Sequence, residues 1–394
     1  MDERAKADCL ANARALAPVI TAAVPRIETH RELPADLVAA LHEARLFRML
    51  VPRSLGGEEI SAPAYVRVIE ELARADASTA WCIAQTSVCS MIASCLPPAI
   101  GAEIFKDNPR GVLAWGPLGR SARAIADKGG FRLTGAWPFA SGSRHATWLA
   151  AHSAVYDANG EARRDANGNP VEMTFVFPRD CATISDVWRV IGLKGTGSDS
   201  YAVSDLFVPE DRGIGAFARN PAERHEHGPL YSFTVHQLFG ASFGSIGLGV
   251  AQSTLDAFIA LACTKIPTGG KTLLRDNGFV QTQVGLAAAK LASARVFLHH
   301  ALADMWEAAC QSGTVPVDRR VRLRMASTYA SHQAKEVVDS AYQAAGATAI
   351  FEDNPFERRF RDMHTVAQQV QAHFSIFEAI GQHILGLPLH PRFF

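Results

Sequence analysis

The sequence lacks an excess of charge of either sign and has no long uninterrupted run of apolar residues. Of its 394 residues, 39 are basic and 39 are acidic, so the formal net charge is zero. A chain without a basic surplus is not expected to bind nucleic acid or an anionic membrane as its main partner. Its most apolar stretch, residues 238–263, contains several Gly and Ser residues and Asp256. We therefore expect a buried helix there and not a membrane span, which needs about 20 predominantly apolar residues.

The sequence also lacks a metal-binding cysteine motif. The seven cysteines are scattered along the chain, and no two of them form a CxxC pair. This odd, dispersed set predicts reduced thiols, a cytoplasmic location and no metal site. The first twenty residues combine acidic side chains with helical periodicity, so we expect no signal peptide.

The periodicity of apolar residues changes twice along the chain. The pattern predicts a three-part α+β protein: an N-terminal α-helical domain (1–110), a central antiparallel β-barrel or sandwich (111–215) and a C-terminal four-helix bundle (216–394). The central part is rich in Val, Phe, Trp and Thr and is punctuated by turn sequences such as DANGNP. The bundle helices are expected at about 238–263, 275–311 and 316–345, with a last one beginning near Phe356.

The segment GAWPFASGSRHATW (135–148) has the most distinctive composition in the chain. One interpretation is a Trp-rich strand pair with a polar turn, because turns favour Ser and Gly. The other is a ligand pocket, in which the aromatic side chains form flat walls and the small Ala140-Ser141-Gly142 turn lets the backbone come close to a ligand. Composition alone leaves both open.

Several motifs, in this order, resemble the acyl-CoA dehydrogenase superfamily over nearly the whole chain. They include LFRMLVPRSLGGEE (46–59), VIGLKGTGSDSYAVSDLFVPED (190–211) and RDMHTVAQQVQ (361–371). Within that superfamily, residues 137–148 resemble the W-x-F-S-S-G-x-x-H-A-x-W segment of the flavin-dependent monooxygenase branch. The resemblance implies an acyl-CoA dehydrogenase-like fold.

For function, the resemblance implies the oxygenase component of a two-component system. Such an enzyme would use reduced flavin (FADH2 in preference to FMNH2) and O2 to form a C4a-hydroperoxyflavin, and would oxygenate a small aromatic or heteroaromatic compound such as indole or a phenol. A separate flavin reductase and a homotetrameric assembly are further implications.

Position in these motifs assigns residues to the flavin. Ser141 is expected to be catalytic, because its hydroxyl would accept the hydrogen bond from flavin N5–H. The other predicted flavin-binding residues are Trp115, Trp137, Phe139, Ala140, Arg275 and Gly346. Arg275 would bind the flavin phosphate, although an exposed surface charge is the alternative. Gly346 would allow close backbone approach to the flavin, or it would simply cap a helix.

The residues expected to face the substrate differ from the family pattern. Related aromatic hydroxylases carry two histidines that polarise a phenol, and here Cys89 and about Gln369 occupy those places. We therefore predict Cys89, Trp115, His236 and Gln369 as substrate-binding residues, with Gln369 and the nearby His373 as catalytic candidates. A substrate that needs no deprotonation fits these residues at least as well as a phenol.

Two other functions remain open at this stage. An acyl-CoA dehydrogenase needs a glutamate base, but residues 234–244 contain no carboxylate and none follows Asp362 until Glu378. A catalytically inactive flavin-binding protein is compatible with the loss of both histidines. The Gly-rich LKGTGSDS (193–200) lies between predicted strands and does not open a helix, so we do not expect a phosphate-binding loop there.

Overall fold

The computed structural model describes residues 3–119, 121–215 and 224–388 of the chain. The N-terminal part is helical, as expected from its periodicity. Its α-helices are α1 (Glu3–His30), α2 (Ala35–Glu43), α3 (Ala62–Ala75), α4 (Ala77–Ser90) and the short α5 (Pro98–Gly101). Helix α4 is buried on nearly every side, which follows from its almost wholly apolar and small-residue sequence.

Asp76 connects the start of α4 with the C-terminal part of the chain. Its carboxylate accepts hydrogen bonds from the backbone N–H of Thr79 at 2.7 Å and from its hydroxyl at 2.8 Å. The same side chain pairs with Arg358 at 2.6 Å. Asp76 therefore acts as the N-cap of α4 and also fixes this helix against a helix nearly 300 residues away.

The central part forms one eight-stranded sheet among the described residues. Its strands are β1 (Leu113–Ala114), β2 (Arg123–Asp127), β3 (Gly130–Ala140), β4 (Trp148–Tyr156), β5 (Glu172–Pro178), β6 (Thr183–Ser185), β7 (Asp199–Pro209) and β8 (Gly213–Gly215). The spatial order is β6-β7-β3-β2-β4-β5-β8, with β1 beside β4.

The expectation of a purely antiparallel sheet was wrong, because β4 pairs in parallel with both β1 and β2. The remaining strand pairs are antiparallel. Tight turn sequences predict local hairpins, but β2 and β4 are separated in the chain by β3. Their pairing is set by tertiary packing, which a turn motif does not encode.

The C-terminal part returns to long helices. They are α6 (Val235–Ala262), α7 (Gly278–Ser312), α8 (Val317–Ala345), α9 (Pro355–Val366) and α10 (Ser375–Ile384). Helix α6 is long and apolar enough to cross a membrane by length and composition, but 67% of its apolar window is buried inside the protein. It packs against α3, α4, α7, α8 and α9 and is the central helix of this region, which agrees with the buried helix expected there.

Candidate active site

Ser141 lies in a tight turn at the end of β3, where the strand departs from regular geometry. The register between β3 and β7 shifts between Trp137 and Ala140, and Phe139 has a left-handed backbone with φ of 57°. Gly142 follows with φ of 79°, and a Cβ there would lie 2.9 Å from Cγ2 of Thr86. The turn thus needs glycine both for its backbone angle and for its close packing on α4.

A chain of hydroxyl groups begins at the Ser141 side chain. Its Oγ lies 2.6 Å from Oγ of Ser198, which in turn lies 2.7 Å from Oγ1 of Thr196. Thr196 donates its hydroxyl hydrogen to the carbonyl of Leu193 at 2.9 Å. From the opposite side, the indole Nε1–H of Trp81 donates to Ser141 Oγ at 3.0 Å.

These bonds fix the direction in which each hydroxyl donates. A hydroxyl carries one hydrogen and two acceptor lone pairs, and a carbonyl oxygen only accepts. Since the hydrogen of Thr196 goes to Leu193, Ser198 must donate to Thr196, and Ser141 must donate to Ser198, if all three bonds form together. The Ser141 oxygen then accepts from Trp81 and keeps one lone pair open. Ser141 is therefore arranged as a hydrogen-bond acceptor for a ligand donor.

Buried acidic groups hold the loop that carries Thr196 and Ser198. The Leu193 N–H donates to Oδ1 of Asp362 at 2.7 Å, and Asp362 is only 1% exposed. Burial raises the pKa of Asp362 to about 7, against the opposing effect of Arg358. At the other end of the loop, Arg144 pairs with the buried Asp199 at 2.7 Å. The position of the Leu193 carbonyl, and with it the donor direction at Ser141, thus depends on the contact of α9 with this loop.

A row of aromatic side chains continues from Trp81 across the interface of α4, α6 and the sheet. The Trp81 ring stacks on Phe243 with centroids 4.1 Å apart and planes 5° from parallel. Phe243 stacks on Phe239 at 5.6 Å, and Phe239 meets the edge of Trp115 at 6.3 Å. These four rings are buried, and the row begins at the Ser141 hydroxyl, so it forms an apolar wall that leads away from it.

Cys89 lies at the far end of this row, beside Trp115. The thiol is fully buried, and it lies 3.8 Å from the amide Nε2 of Gln85. Burial raises the pKa of Cys89 well above its usual value, although hydrogen bonds from the Trp115 backbone and from Gln85 act in the opposite direction. Cys89 is therefore a neutral thiol near neutral pH and not a general base.

The structure gives Trp137 and Phe139 different environments, although both are predicted to line the flavin. Trp137 is completely buried, stacks on Tyr201 with centroids 5.2 Å apart, and donates its Nε1–H to the His152 carbonyl. Its ring belongs to the core of the sheet. Phe139 is 61% exposed and meets Trp188 edge to face at 6.1 Å. Of the two, Phe139 presents an open aromatic face. Ala140, between Phe139 and Ser141, is fully buried.

In the segment after α9, the buried glutamine is Gln371 and not Gln369, the residue predicted from the sequence. Gln369 turns back on its own backbone and accepts a hydrogen bond from the Gln371 N–H. His373 is exposed and bonds through Nδ1 to the Ser375 hydroxyl at 2.8 Å. Gln371 is the buried side chain of this segment, and its Oε1 accepts from the guanidinium of Arg324.

The remaining predicted residues are His236, Arg275 and Gly346. His236 is half-buried in the first turn of α6. Arg275 is exposed just before α7, 3.8 Å from its neighbour Asp276. Gly346 ends α8 with φ of 60°, where Lys265 donates to the Ala345 carbonyl and to Thr348. Gly346 therefore occupies a helix-capping position, which was one of the two alternatives considered for it.

Sequence reasoning missed four residues of this site: Trp81, Thr196, Ser198 and Arg324. The first three lie 60, 55 and 57 positions from Ser141 in the chain, and no local motif connects them to it. One usable signal existed for the loop, because the LKGTGSDS segment combines glycines with closely spaced hydroxyl residues. We used this segment as part of a family motif and rejected it as a phosphate-binding loop, but assigned it no contact with Ser141.

Two family models match this chain. The acyl-CoA dehydrogenase N-terminal domain model matches residues 10–98, and the acyl-CoA dehydrogenase C-terminal domain model matches residues 241–374. The chain is 32% identical to the indole-3-acetate monooxygenase of Pseudomonas putida over 347 residues, which cover 86% of this chain and 84% of that protein. The chain belongs to the flavin-dependent monooxygenase branch of the acyl-CoA dehydrogenase superfamily.

Two further relatives agree with this assignment. One is the oxygenase component of the FADH(2)-dependent resorcinol hydroxylase of Rhizobium sp., 27% identical over 94% of this chain and 92% of that protein. The other is the structure of XiaF from Streptomyces sp. in complex with FADH2 and glycerol. It superposes with a TM-score of 0.89 at 26% identity and covers 97% of this chain and 96% of that one.

The fold class, the enzyme class and the need for reduced flavin and O2 predicted from the sequence are confirmed by these matches. This flavin-dependent monooxygenase also has residues that fit the cofactor. Reduced flavin differs from oxidised flavin by a hydrogen on N5, and Ser141 offers a buried acceptor with an open lone pair. Phe139, two residues before Ser141, provides an exposed aromatic surface beside the half-buried Trp188.

Proposed function

We propose that this monooxygenase is supplied with reduced FAD by a separate reductase and oxygenates a small aromatic or heteroaromatic compound. The proposal rests on the orientation of the Ser141 hydroxyl. Its hydrogen is donated to Ser198, so toward the flavin ring it can only accept a hydrogen bond, and only reduced flavin carries a hydrogen on N5. When bound, reduced flavin would supply the two electrons that activate dioxygen, so that one oxygen atom of O2 goes to the substrate and the other leaves as water. The preference for FAD over FMN is supported by the FADH2 named for two similar proteins.

The protein's own contribution is to hold the cofactor and to keep water away. Ser141 would accept the N5–H bond, with Trp81 and Ser198 holding its oxygen and hydrogen in place. The rings of Phe243, Phe239 and Trp115 would form an apolar wall for the substrate. Exclusion of water matters in such a site, because it suppresses side reactions of the activated cofactor.

The substrate that we favour is one that does not require deprotonation, such as an indole. Cys89 stays protonated because it is buried, and Gln369 and Gln371 have no basic group in the relevant pH range. Among the described residues, no carboxylate lies on α6 before Asp256, so α-proton abstraction from an acyl-CoA also has no base there. The name of the Pseudomonas putida relative, an indole-3-acetate monooxygenase, supports the same choice.

A decisive experiment supplies the anaerobic protein with reduced FAD and indole-3-acetate or a phenol, and then adds ¹⁸O₂. We expect a product that carries one ¹⁸O atom, detected by mass spectrometry, and a higher yield with the indole. Failure to incorporate ¹⁸O, together with reduction of bound FAD by an acyl-CoA, would contradict the proposal and favour dehydrogenation.

We further propose a cytoplasmic homotetramer in which Arg275 binds the flavin phosphate of a neighbouring subunit. Arg275 is exposed, and the adjoining face of α7 carries the exposed apolar side chains Phe279 and Leu286, at 70% and 58% exposure. An exposed apolar patch is typical of a surface that contacts another protein, and an exposed arginine beside it can bind a phosphate group. Light scattering of the purified protein tests the assembly, and a monomer in solution would contradict it.

A further inference from the structure

Among the described residues, Arg324 is a buried cation without an acidic partner. The residue lies on α8 and is 8% exposed. Its Nη1 donates to Oε1 of Gln371, while its Nε is buried and has no hydrogen-bond partner. No carboxylate among the residues that the structure describes pairs with it, and burial alone lowers its pKa to about 10. A buried guanidinium of this kind is costly unless something compensates its charge.

The acidic side chains of α8 are all engaged elsewhere. Glu336 pairs with Lys290, Asp339 with Lys335 and His364, and Asp318 with His383. The facing part of α6 contains no acidic residue before Asp256. Within the described chain, the missing negative charge is therefore not supplied by the neighbouring helices.

The guanidinium lies against α6 at Gly240. A Cβ at Gly240 would be 3.0 Å from Arg324 Nη1, so glycine at this position leaves room for the guanidinium. Gly240 follows Phe239 directly in the chain, and Phe239 contacts both Phe243 and Trp115. The guanidinium is thus placed against the same helix as Phe239 and Phe243, one residue along the chain from the apolar wall that would receive an aromatic substrate.

We propose that Arg324 binds the carboxylate of an aromatic acid, so that the substrate of this enzyme carries an acidic side chain on its ring. The planar fork of arginine matches the two oxygens of a carboxylate, and such charge-assisted bonds are stronger than neutral ones. Gln371 orients the fork through Nη1 and leaves Nε for the ligand. This inference rests on the proposed function for the identity of the aromatic ring, but the charge preference can be measured separately.

The test compares binding of indole-3-acetate with binding of its uncharged amide, indole-3-acetamide, by calorimetry. Both ligands are titrated anaerobically into the protein, without flavin and with reduced FAD. We expect the native protein to prefer the acid and Arg324→Gln to lose about 30-fold or more in affinity for the acid, with a much smaller loss for the amide. Arg322→Gln is the matched control, because Arg322 is exposed on the same helix.

A purely structural role for Arg324 gives a different result. If Arg324 only holds Gln371 in place, Arg324→Gln lowers the affinities for the acid and the amide equally. That outcome, or equal affinity of the native protein for the two ligands, would overturn the proposal. Gly240→Ala provides a second variant in case Arg324→Gln does not fold, because a methyl group there displaces the end of a flexible side chain. We expect it to weaken acid binding selectively.

The two proposals fail in distinguishable ways. Loss of the acid preference with normal ¹⁸O incorporation from reduced FAD would refute the role of Arg324 alone. Preference for the acid in a protein that neither binds reduced FAD nor incorporates ¹⁸O would refute the proposed function and leave the carboxylate site in place.

Discussion

The hydroxyl chain behind Ser141 makes a specific prediction about Ser198. In the native protein Ser141 donates its hydrogen to Ser198 Oγ at 2.6 Å, and Ser198 donates onward to Thr196 at 2.7 Å. The substitution Ser198→Ala removes this acceptor without touching Ser141 itself. The Ser141 hydrogen is then free to rotate toward a ligand. Ser141 thus changes from an obligatory acceptor into a group that can either donate or accept.

The size of the effect follows from one hydrogen bond. Only reduced flavin has a hydrogen on N5, so an acceptor at Ser141 stabilises the reduced form and not the oxidised form. A net contribution of about 0.5–1.5 kcal/mol per hydrogen bond corresponds to about a 2- to 12-fold preference for reduced flavin. For a two-electron couple this is a shift of about 10–30 mV in midpoint potential. We expect Ser198→Ala and Ser141→Ala to shift the potential downward within this range, relative to the native protein.

The assay is the midpoint potential of flavin bound to each variant, or the ratio of its dissociation constants for reduced and oxidised FAD. Ser143→Ala is a matched control, since Ser143 is fully buried only two residues from Ser141 and its Oγ has no hydrogen-bond partner. Thr196→Val should act in the same direction as Ser198→Ala. These measurements do not depend on turnover.

Three results would refute the reasoning. An unchanged potential in Ser198→Ala, with a shifted potential in Ser141→Ala, would show that the hydroxyl chain does not orient Ser141. An unchanged potential in both variants would remove the N5 contact from Ser141. An equal shift in Ser143→Ala would mean that the effect reflects general disturbance of the turn.

Three further predictions concern stability and cofactor binding. Burial lowers the pKa of His145 to about 4, below its value in the unfolded chain. The neutral imidazole therefore contributes its full share to the free energy of unfolding above pH 6.5, and this share is lost as the pH falls toward 4; at pH 5 the loss is about 2 kcal/mol. Denaturation curves of His145→Asn should show a smaller decrease in the free energy of unfolding between pH 7.5 and 5 than those of the native protein. Equal pH dependence in both proteins would contradict this. Gly142→Ala should lower the thermal unfolding midpoint more than Gly129→Ala does. Both glycines have φ near 78°, but only a Cβ at position 142 meets a neighbouring atom, Cγ2 of Thr86, 2.9 Å away. Equal decreases in the midpoint would mean that the crowding against Thr86 is relieved without loss of stability. Arg275→Gln should weaken binding of reduced FAD by about 10-fold or more and leave riboflavin binding unchanged, because riboflavin lacks the phosphate. Equal weakening for both ligands would argue against phosphate recognition.

The sequence by itself determined the kind of element at each place and the turn that carries Ser141. Apolar periodicity is a local property, and it predicted the buried helix near 238–263, observed as Val235–Ala262. The motif around Ser141 identified the enzyme class because its spacing is carried by one strand and one turn, which fold in the same way in similar chains.

Only the tertiary structure decided which side chains meet at that turn. Trp81, Thr196 and Ser198 reach Ser141 because α4 and the loop before β7 dock on the end of β3. Likewise, the conformation of the segment after α9 decides that Gln371 is buried and Gln369 is not. The face of β3 that packs on the sheet core decides that Trp137 is buried there. A pattern shows how residues are spaced within one element, but the angle and depth at which elements pack decide which hydrogen-bond partners and which charges come together.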